Sequence, residues 1–319
     1  MSVVFGRNWP AAEPEGAIDV AELISALAAL VGEAHVRSGE QAGDDYAHDE
    51  ALNAEWATPD AVVFPASTDE VRAVVAHAAE HRIPVTARGA GTGLSGACIP
   101  RQGGIVISFD RMNRVLEIDR DNHVAVVQPG ITLAQLDEQL APLGLVYPVF
   151  PGEYSASLGG NVNTNAGGMQ AVKHGVTRHH VLGLEIVLAT GEVMRTGGRA
   201  VKSSSGYDLT QLLIGSEGTL ALVTEVTLKL TPRLPCAATV LAPFHTLDEV
   251  AGAVPKVLAA GVAPSILEYI DLLTMAAIRD TYHIEVGIAD DVRAAALAYL
   301  LVRLESTTDA RLDDDVAGL

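Results

Sequence analysis

Residues 88–96, RGAGTGLSG, place Gly89, Gly91, Gly93 and Gly96 within nine positions and contain a GxGxxG match from Gly91 to Gly96. Glycine tolerates φ > 0 and lets a ligand reach bare backbone, so consecutive N–H groups here can form a nest for an anion. Thr92 and Ser95 could add hydroxyl donors. Two familiar phosphate loops are at odds with the residues that follow. A dinucleotide-binding βαβ unit needs a helix to start inside the motif, but Pro100, Gly103 and Gly104 forbid one, and the Gly-Lys-Ser/Thr of a Walker A loop is missing. What remains is a loop between two strands that either holds a pyrophosphate or is a plain glycine turn.

Two more segments share this character. SLGGNVNTNAGG, residues 157–168, sets glycine pairs at 159–160 and 167–168 around Asn161, Asn163 and Asn165. GSEGTL, residues 215–220, brackets Glu217 between Gly215 and Gly218, and that carboxylate could accept a ribose hydroxyl. One such segment is unremarkable; three in one domain indicate a long, extended ligand. Residues 157–168 are too rich in Gly and Asn to predict a regular element. His179 and His180 are adjacent and so point different ways, which argues against a joint metal site, while His174 is the better candidate for a polar contact.

The elements that must position these segments follow from periodicity. Asp19 caps an amphipathic helix over 20–31, and the acidic stretch around Asp44, Asp45, Tyr46, His48, Asp49 and Glu50 reads as a solvated loop. AVVFP from Ala61, the helix STDEVRAVVAHAAEH and the strand IPVTARG form a β-α-β unit that ends in the glycine loop. Strands follow at 104–110, in VLEID and in VAVVQPG, then a helix started by Thr132 and closed at Gly144. VLGLEIVLATGEVMRTG and SEGTLALVTEVTLKLTP supply further strands as far as Pro232. Past Pro235 comes a β-α-β-α string, and the final residues, from VRAAALAYLL onward, begin helix-like with no strand to complete a sheet.

Composition narrows the function. The 319 residues are 49% apolar and carry 21 basic against 40 acidic groups, net −19, a field that repels nucleic acid and leaves no basic stripe. Cys98 and Cys236 are far apart and outside any zinc spacing, so they predict free thiols rather than a disulfide or metal site. The start MSVVFGRNWPAAEPEG lacks the order of a signal peptide, and no apolar run approaches the roughly 18 residues of a membrane span. The chain therefore reads as cytoplasmic, with no integral membrane segment.

In order along the chain, PASTDEV, RGAGTGLSG, PGEYSASLGGNVNTNAGG, KHGVTRHHVLGLEIVLATGEV, SSGYDLTQLLIGSEGTL and TEVTLKL resemble FAD-linked oxidases of the vanillyl-alcohol oxidase/p-cresol methylhydroxylase family. Within it they are similar to the D-2-hydroxyacid dehydrogenase branch. The resemblance implies an α+β chain: an N-terminal helix and loop (1–55), a two-lobed FAD-binding domain of p-cresol methylhydroxylase (PCMH) type (56–234), and a partial α+β cap domain (235–319) cut short at its C-terminal end. It also implies FAD, with Arg88, Gly89, Ala90, Gly91, Thr92, Gly93, Leu94 and Ser95 wrapping the pyrophosphate. Pro129 and Gly130 would lie along the cofactor. Ser157, Gly159, Gly160, Asn165, Ala166 and Gly167 would approach the ribityl chain and isoalloxazine, and Glu217, Gly218 and Val223 would close the site. Some relatives attach FAD through a His where this chain has Thr92, which implies non-covalent FAD. Ala221 departs from the Gly that many relatives carry there.

The activity implied is oxidation of a small D-2-hydroxy acid such as D-lactate or glycolate, with hydride transfer to flavin N5. The implied partners are an electron-acceptor protein or iron–sulfur subunit, through which the chain would sit peripherally at a membrane. Catalytic residues are not assigned, because relatives draw them largely from later in the cap. Two alternatives stay open: an FAD-binding module without turnover of its own, and a nicotinamide-dependent dehydrogenase, weakened by the absent helix after Gly96.

Overall fold

The computed structural model describes residues 19–101, 103–284 and 286–319. They fall into two compact units, Met1–Arg111 with Val187–Val193, and Met112–Ile186 with Met194–Leu319. The N-terminal stretch that lacks signal-peptide order, residues 1–16, lies outside the described residues.

In the first unit, α1 (Val20–Val31) starts at Asp19, whose side chain accepts from the Ala21 N–H, and buries Leu23, Leu27 and Val31. Strand β1 (Val36–Ser38) leads into the short helix α2 (Gly39–Ala42), and β2 (Ala61–Val63), α3 (Thr68–Glu80), β3 (Val85–Arg88) and β4 (Ile105–Ser108) complete the unit. The sheet order is β1-β2-β4-β3, with β2 and β3 parallel to β4 and β1 antiparallel to β2. The inner strands β2 and β4 are buried at every position, as an apolar run flanked on both sides requires. No helix forms between Gly96 and β4 among the described residues, so the glycine loop does connect two strands.

The acidic stretch is not the solvated loop its charges predict. Tyr46 packs edge-on against Phe64 at 5.6 Å, and its hydroxyl donates to Asp110 at 3.1 Å. His48 stacks on Trp56 at 4.1 Å, and Asp49 is buried. Asp44, Asp45 and Glu50 stay exposed. Aromatic and small residues interleaved with the acids anchor the segment, an arrangement that charge density alone hides.

The second unit opens with the hairpin β5 (Val115–Asp119) and β6 (Val124–Val127), then α4 (Leu133–Leu140), capped by the reciprocal Thr132–Gln135 pair, and β7 (Leu145–Val146). Gly144, at φ +69, ends the turn after α4. Helices α5 (Leu158–Thr164) and α6 (Ala171–His174) precede β8 (Val181–Leu188), β9 (Val193–Gly197), α7 (Leu209–Leu213), β10 (Ala221–Lys229) and β11 (Thr231–Pro232). The five-stranded sheet runs β5-β6-β10-β8-β9. Helix α5 corrects the sequence expectation of an irregular 157–168. The Ser157 side chain accepts from the Gly160 N–H and Asn165 ends the helix at φ +49, so the caps hold a short helix that glycine and asparagine alone would not favour.

The remaining elements are β12 (Cys236–Phe244), α8 (Leu247–Ala259), β13 (Ile266–Asp271), α9 (Leu272–Tyr282), α10 (Asp290–Ala295), β14 (Ala298–Ser306) and α11 (Asp309–Ala317). Their antiparallel sheet has the order β12-β14-β13. The strand that the sequence analysis fails to find, β14, is the central one. Leu300, Val302 and Leu304 point into a core with Val250, Val262 and Leu312. Leu301, Arg303 and Glu305 take the other face. Ala and Leu favour a helix locally, and burying three alternate side chains, each contributing about 1.5–3 kcal/mol, overrides that preference. No helix among the described residues is long and apolar enough to cross a membrane, and neither cysteine forms a disulfide.

Candidate cofactor site

In the first unit the chain leaves β3 at Arg88 and enters the glycine loop. Arg88 is buried, and its Nη1 donates to the His48 carbonyl at 2.6 Å, so the guanidinium props the loop from within the protein. A Cβ on Gly91, which has φ +76, would meet Arg88 Nη2 at 2.1 Å, so only glycine fits over that guanidinium. The Gly93 carbonyl accepts from the Glu50 N–H at 2.9 Å. Among the described residues, the backbone N–H groups of Gly89, Gly91, Thr92, Gly93 and Leu94 have no protein acceptor. Ala90, Leu94 and Ser95 are exposed and Thr92 is half-buried. A run of unpartnered donors on a pinned loop is the chemistry of an anion nest.

Asp49 is a residue that the sequence analysis leaves among solvated acids. Its Oδ1 accepts from the Ala51 N–H at 3.1 Å, while its Oδ2 is buried without a hydrogen-bond partner, 3.7 Å from where a Cβ on Gly93 would stand. A buried acceptor left unmet is costly, so this oxygen fits a ligand hydroxyl.

The second-unit candidates are clipped together by hydrogen bonds. Gly159 N–H donates to the Pro129 carbonyl at 2.7 Å, and a Cβ on Gly159 would stand 2.6 Å from Pro129 Cβ. Gly130 N–H donates to Met112. Asn163 is the central clip: its Nδ2 donates to the Gly159 carbonyl at 2.8 Å, its Oδ1 accepts from Gly218 N–H at 3.1 Å, and its carbonyl accepts from Glu217 N–H at 2.9 Å. Glu217 is held in the left-handed region at φ +52. Asn165 Oδ1 accepts from Arg178 N–H at 3.0 Å, and the Ala166 carbonyl accepts from both the backbone and the hydroxyl of Thr177. Gly167 lies against Val176, where a Cβ would stand 2.6 Å from Cγ1.

Pro129–Gly130, Ser157–Gly167 and Glu217–Gly218 thus form one connected backbone surface. Val223 is buried within β10, the strand on which α5 packs. Ala221 opens β10 at negative φ, which explains why the methyl group is tolerated there.

Behind this surface lies a cluster of buried polar rings. His180 is buried, its Nε2 bonds the His174 carbonyl at 2.9 Å, and its Nδ1 has no partner. Burial holds its pKa below the ordinary value, and burial likewise depresses His174, aided by the charge of Lys173. Tyr147 donates to Thr177 Oγ1 at 3.4 Å, and burial pushes its phenol well up. Asn161, also buried, leaves Nδ2 without a partner. His179 is exposed, as expected of adjacent histidines that point apart.

Each unit thus carries its own candidate surface, a loop of unpartnered donors in the first and hydrogen-bonded backbone in the second. Residues 59–197 match the family described as FAD binding domain, and residues 235–319 match FAD linked oxidases, C-terminal domain. The chain is 56% identical, over 93% of its own length and 65% of the relative's, to an uncharacterized FAD-linked oxidoreductase of Mycobacterium tuberculosis. It is 42% identical to the glycolate oxidase subunit GlcD of Bacillus subtilis (75% of this chain, 51% of the relative). Against a D-lactate dehydrogenase of Anaerostipes hadrus it is 39% identical (86% and 58%). It therefore spans between half and two thirds of these relatives. Among solved structures, it shares the fold of an alkyldihydroxyacetonephosphate synthase (TM-score 0.77, 21% identity, 95% of this chain and 59% of that one). It shares it also with p-cresol methylhydroxylase (TM-score 0.73, 20% identity, 95% and 64%). The chain belongs to the FAD-linked oxidases with a PCMH-type FAD-binding domain, and FAD is its cofactor.

Proposed function

We propose that this chain is the FAD-binding part of an oxidoreductase that oxidises a small D-2-hydroxy acid, such as D-lactate or glycolate, to the 2-oxo acid. The observation that carries the reading is the contrast in backbone state: among the described residues, five N–H groups of the glycine loop have no protein acceptor, while every N–H from Leu158 to Ala166 is hydrogen-bonded within the protein. When bound, FAD supplies a hydride acceptor at N5. The loop 89–94 would donate to the diphosphate, with the Asp49 Oδ2 accepting a cofactor hydroxyl. The surface of Pro129, Gly159, Asn165, Ala166 and Gly167 would approach the flavin closely, with the N–H groups of Gly159, Asn165 and Ala166 already bonded within the protein. Thr92 offers no imidazole for covalent attachment, so the cofactor is held non-covalently. Support for the substrate class comes from the likeness to the glycolate oxidase subunit and the D-lactate dehydrogenase. In this reading an electron-acceptor protein or iron–sulfur subunit reoxidises the flavin, and the chain works in the cytoplasm or peripherally at a membrane.

The test is spectroscopic. The purified chain, reconstituted with FAD, shows a flavin spectrum that bleaches when D-lactate or glycolate is added without oxygen. A chain that takes up no FAD contradicts the whole reading. Flavin that binds but never bleaches leaves a cofactor-binding module without turnover.

A further inference from the structure

The second unit contains a cavity of about 450 Å³ bordered by α4, residues 146–154, α6, β11 and β14. Two features place it beside the clipped backbone surface. The Phe150 carbonyl lies so close to Gly168 that a Cβ there would stand 1.9 Å away, and Gln170 and His174, which follow directly in the chain, line the cavity. Its partly exposed apolar lining includes Val146, Phe150 and Leu234, backed by the buried Leu136 and Leu140.

The lining also includes two arginines in different states. Arg233 is paired with Asp137. Arg303 donates through Nε to Glu305 Oε1 at 3.2 Å, and among the described residues its two Nη nitrogens have no partner. The alternation of β14 explains the placement: Leu300, Val302 and Leu304 fill the core, so Arg303 and Glu305 must face the other way. A guanidinium with its Nη edge open matches the two oxygens of a carboxylate. Burial, aided by the charge of Lys173, holds the His174 pKa below its ordinary value, which disfavours a positive charge there.

Size decides what accompanies the carboxylate. Pockets of about 300–1,000 Å³ enclose ligands far larger than a three-carbon acid. A lactate or glycolate would fill a fraction of this volume and leave Val146, Phe150 and Leu234, the partly exposed apolar lining, uncovered.

We propose that this cavity binds a monocarboxylic acid with a bulky apolar side chain, its carboxylate on Arg303 and its side chain against Val146, Phe150 and Leu234. Resting on the function proposed above, the preferred substrates are then branched or aromatic D-2-hydroxy acids rather than D-lactate or glycolate.

Titration calorimetry on the FAD-loaded chain tests this with D-phenyllactate and D-lactate as probes. D-phenyllactate binds at least tenfold more tightly, Arg303→Leu loses at least tenfold of that affinity, and Arg303→Lys recovers part of it. Gln170→Trp, which fills the cavity and leaves Arg303 in place, weakens D-phenyllactate and spares D-lactate. Equal affinity for the two acids, or D-phenyllactate binding that survives both Arg303→Leu and Gln170→Trp, overturns the proposal. Anaerobic bleaching by the same acids separates the two readings: tight binding without bleaching contradicts the proposed oxidation and leaves the pocket standing, and bleaching by D-lactate without preference does the reverse.

Discussion

The glycine loop at 88–96 and the Asn-Gly segment at 157–168 have similar compositions and opposite backbone states. In the loop, five N–H groups lack acceptors among the described residues, while the carbonyl of Gly93 is tied down by Glu50. In the second segment, Ser157 and Asn165 cap a helix, and Asn163 and Thr177 close the carbonyls and amides around it. In the proposed reading the first region keeps donors for an anion, and the second offers a neutral ring system a backbone whose N–H groups are bonded from Leu158 to Ala166. Glycine serves φ > 0 over Arg88 in the first and close packing on Pro129, Val176 and Phe150 in the second.

Substitutions that separate these roles sharpen the comparison. The largest effect is expected at Gly168, where a Cβ would stand 1.9 Å from the Phe150 carbonyl. Gly168→Ala should lower the unfolding free energy of the cofactor-free protein by ~3 kcal/mol in a denaturant titration, because neither backbone can yield cheaply. Next is Asn163→Ala, which deletes two side-chain hydrogen bonds and should cost about 2 kcal/mol in the same titration. A loss of FAD affinity with unchanged apo stability in either variant would remove the distinction between the regions.

Gly91→Ala should show the reverse pattern. Forcing alanine to φ +76 costs about 1–2 kcal/mol locally and displaces the Arg88 guanidinium, so FAD should weaken about tenfold or more by fluorescence titration. Asp49→Asn keeps an oxygen for the Ala51 N–H and replaces the partnerless Oδ2 with a donor. FAD affinity should fall about fivefold to tenfold, with apo stability unchanged or raised. Unaltered FAD binding in this variant would make Asp49 a purely structural residue.

The smallest effect concerns pH. The folded-state pKa values of His180 and His174 are lowered from 6.5, burial being the first cause in each. The unfolded chain therefore binds more protons in the window just below 6.5, and stability falls as pH drops through it. Above 6.5 these residues contribute no such loss. Thermal melts from pH 7.5 down to 5.0 should show this decline, and His180→Asn should flatten it.

Much of this was legible in the residues. The β-α-β unit, the capped helices at Asp19, Ser67 and Thr132 and the loop without a following helix follow from periodicity and capping signals. The glycine-rich segments are also legible as positions of positive φ and close backbone approach. What could not be read depended on partners distant in sequence. Helix α5 exists because Ser157 and Asn165 cap it, and β14 becomes a strand because β12 and β13 flank it. Asp49 looked like one solvated acid among several, and only the packing of Tyr46, His48 and Trp56 around it reveals a buried, unmet oxygen. Arg303 carries no motif at all, and only the fold shows that it lines a cavity.

The central claim is that the 88–96 loop holds the diphosphate of a non-covalent FAD, and a paired titration of the cofactor-free chain with FAD and riboflavin tests it most directly. The account predicts that FAD quenches at least about a hundredfold more tightly, roughly 2.7 kcal/mol, because riboflavin brings no diphosphate to the nest. Equal affinity for the two flavins would contradict it.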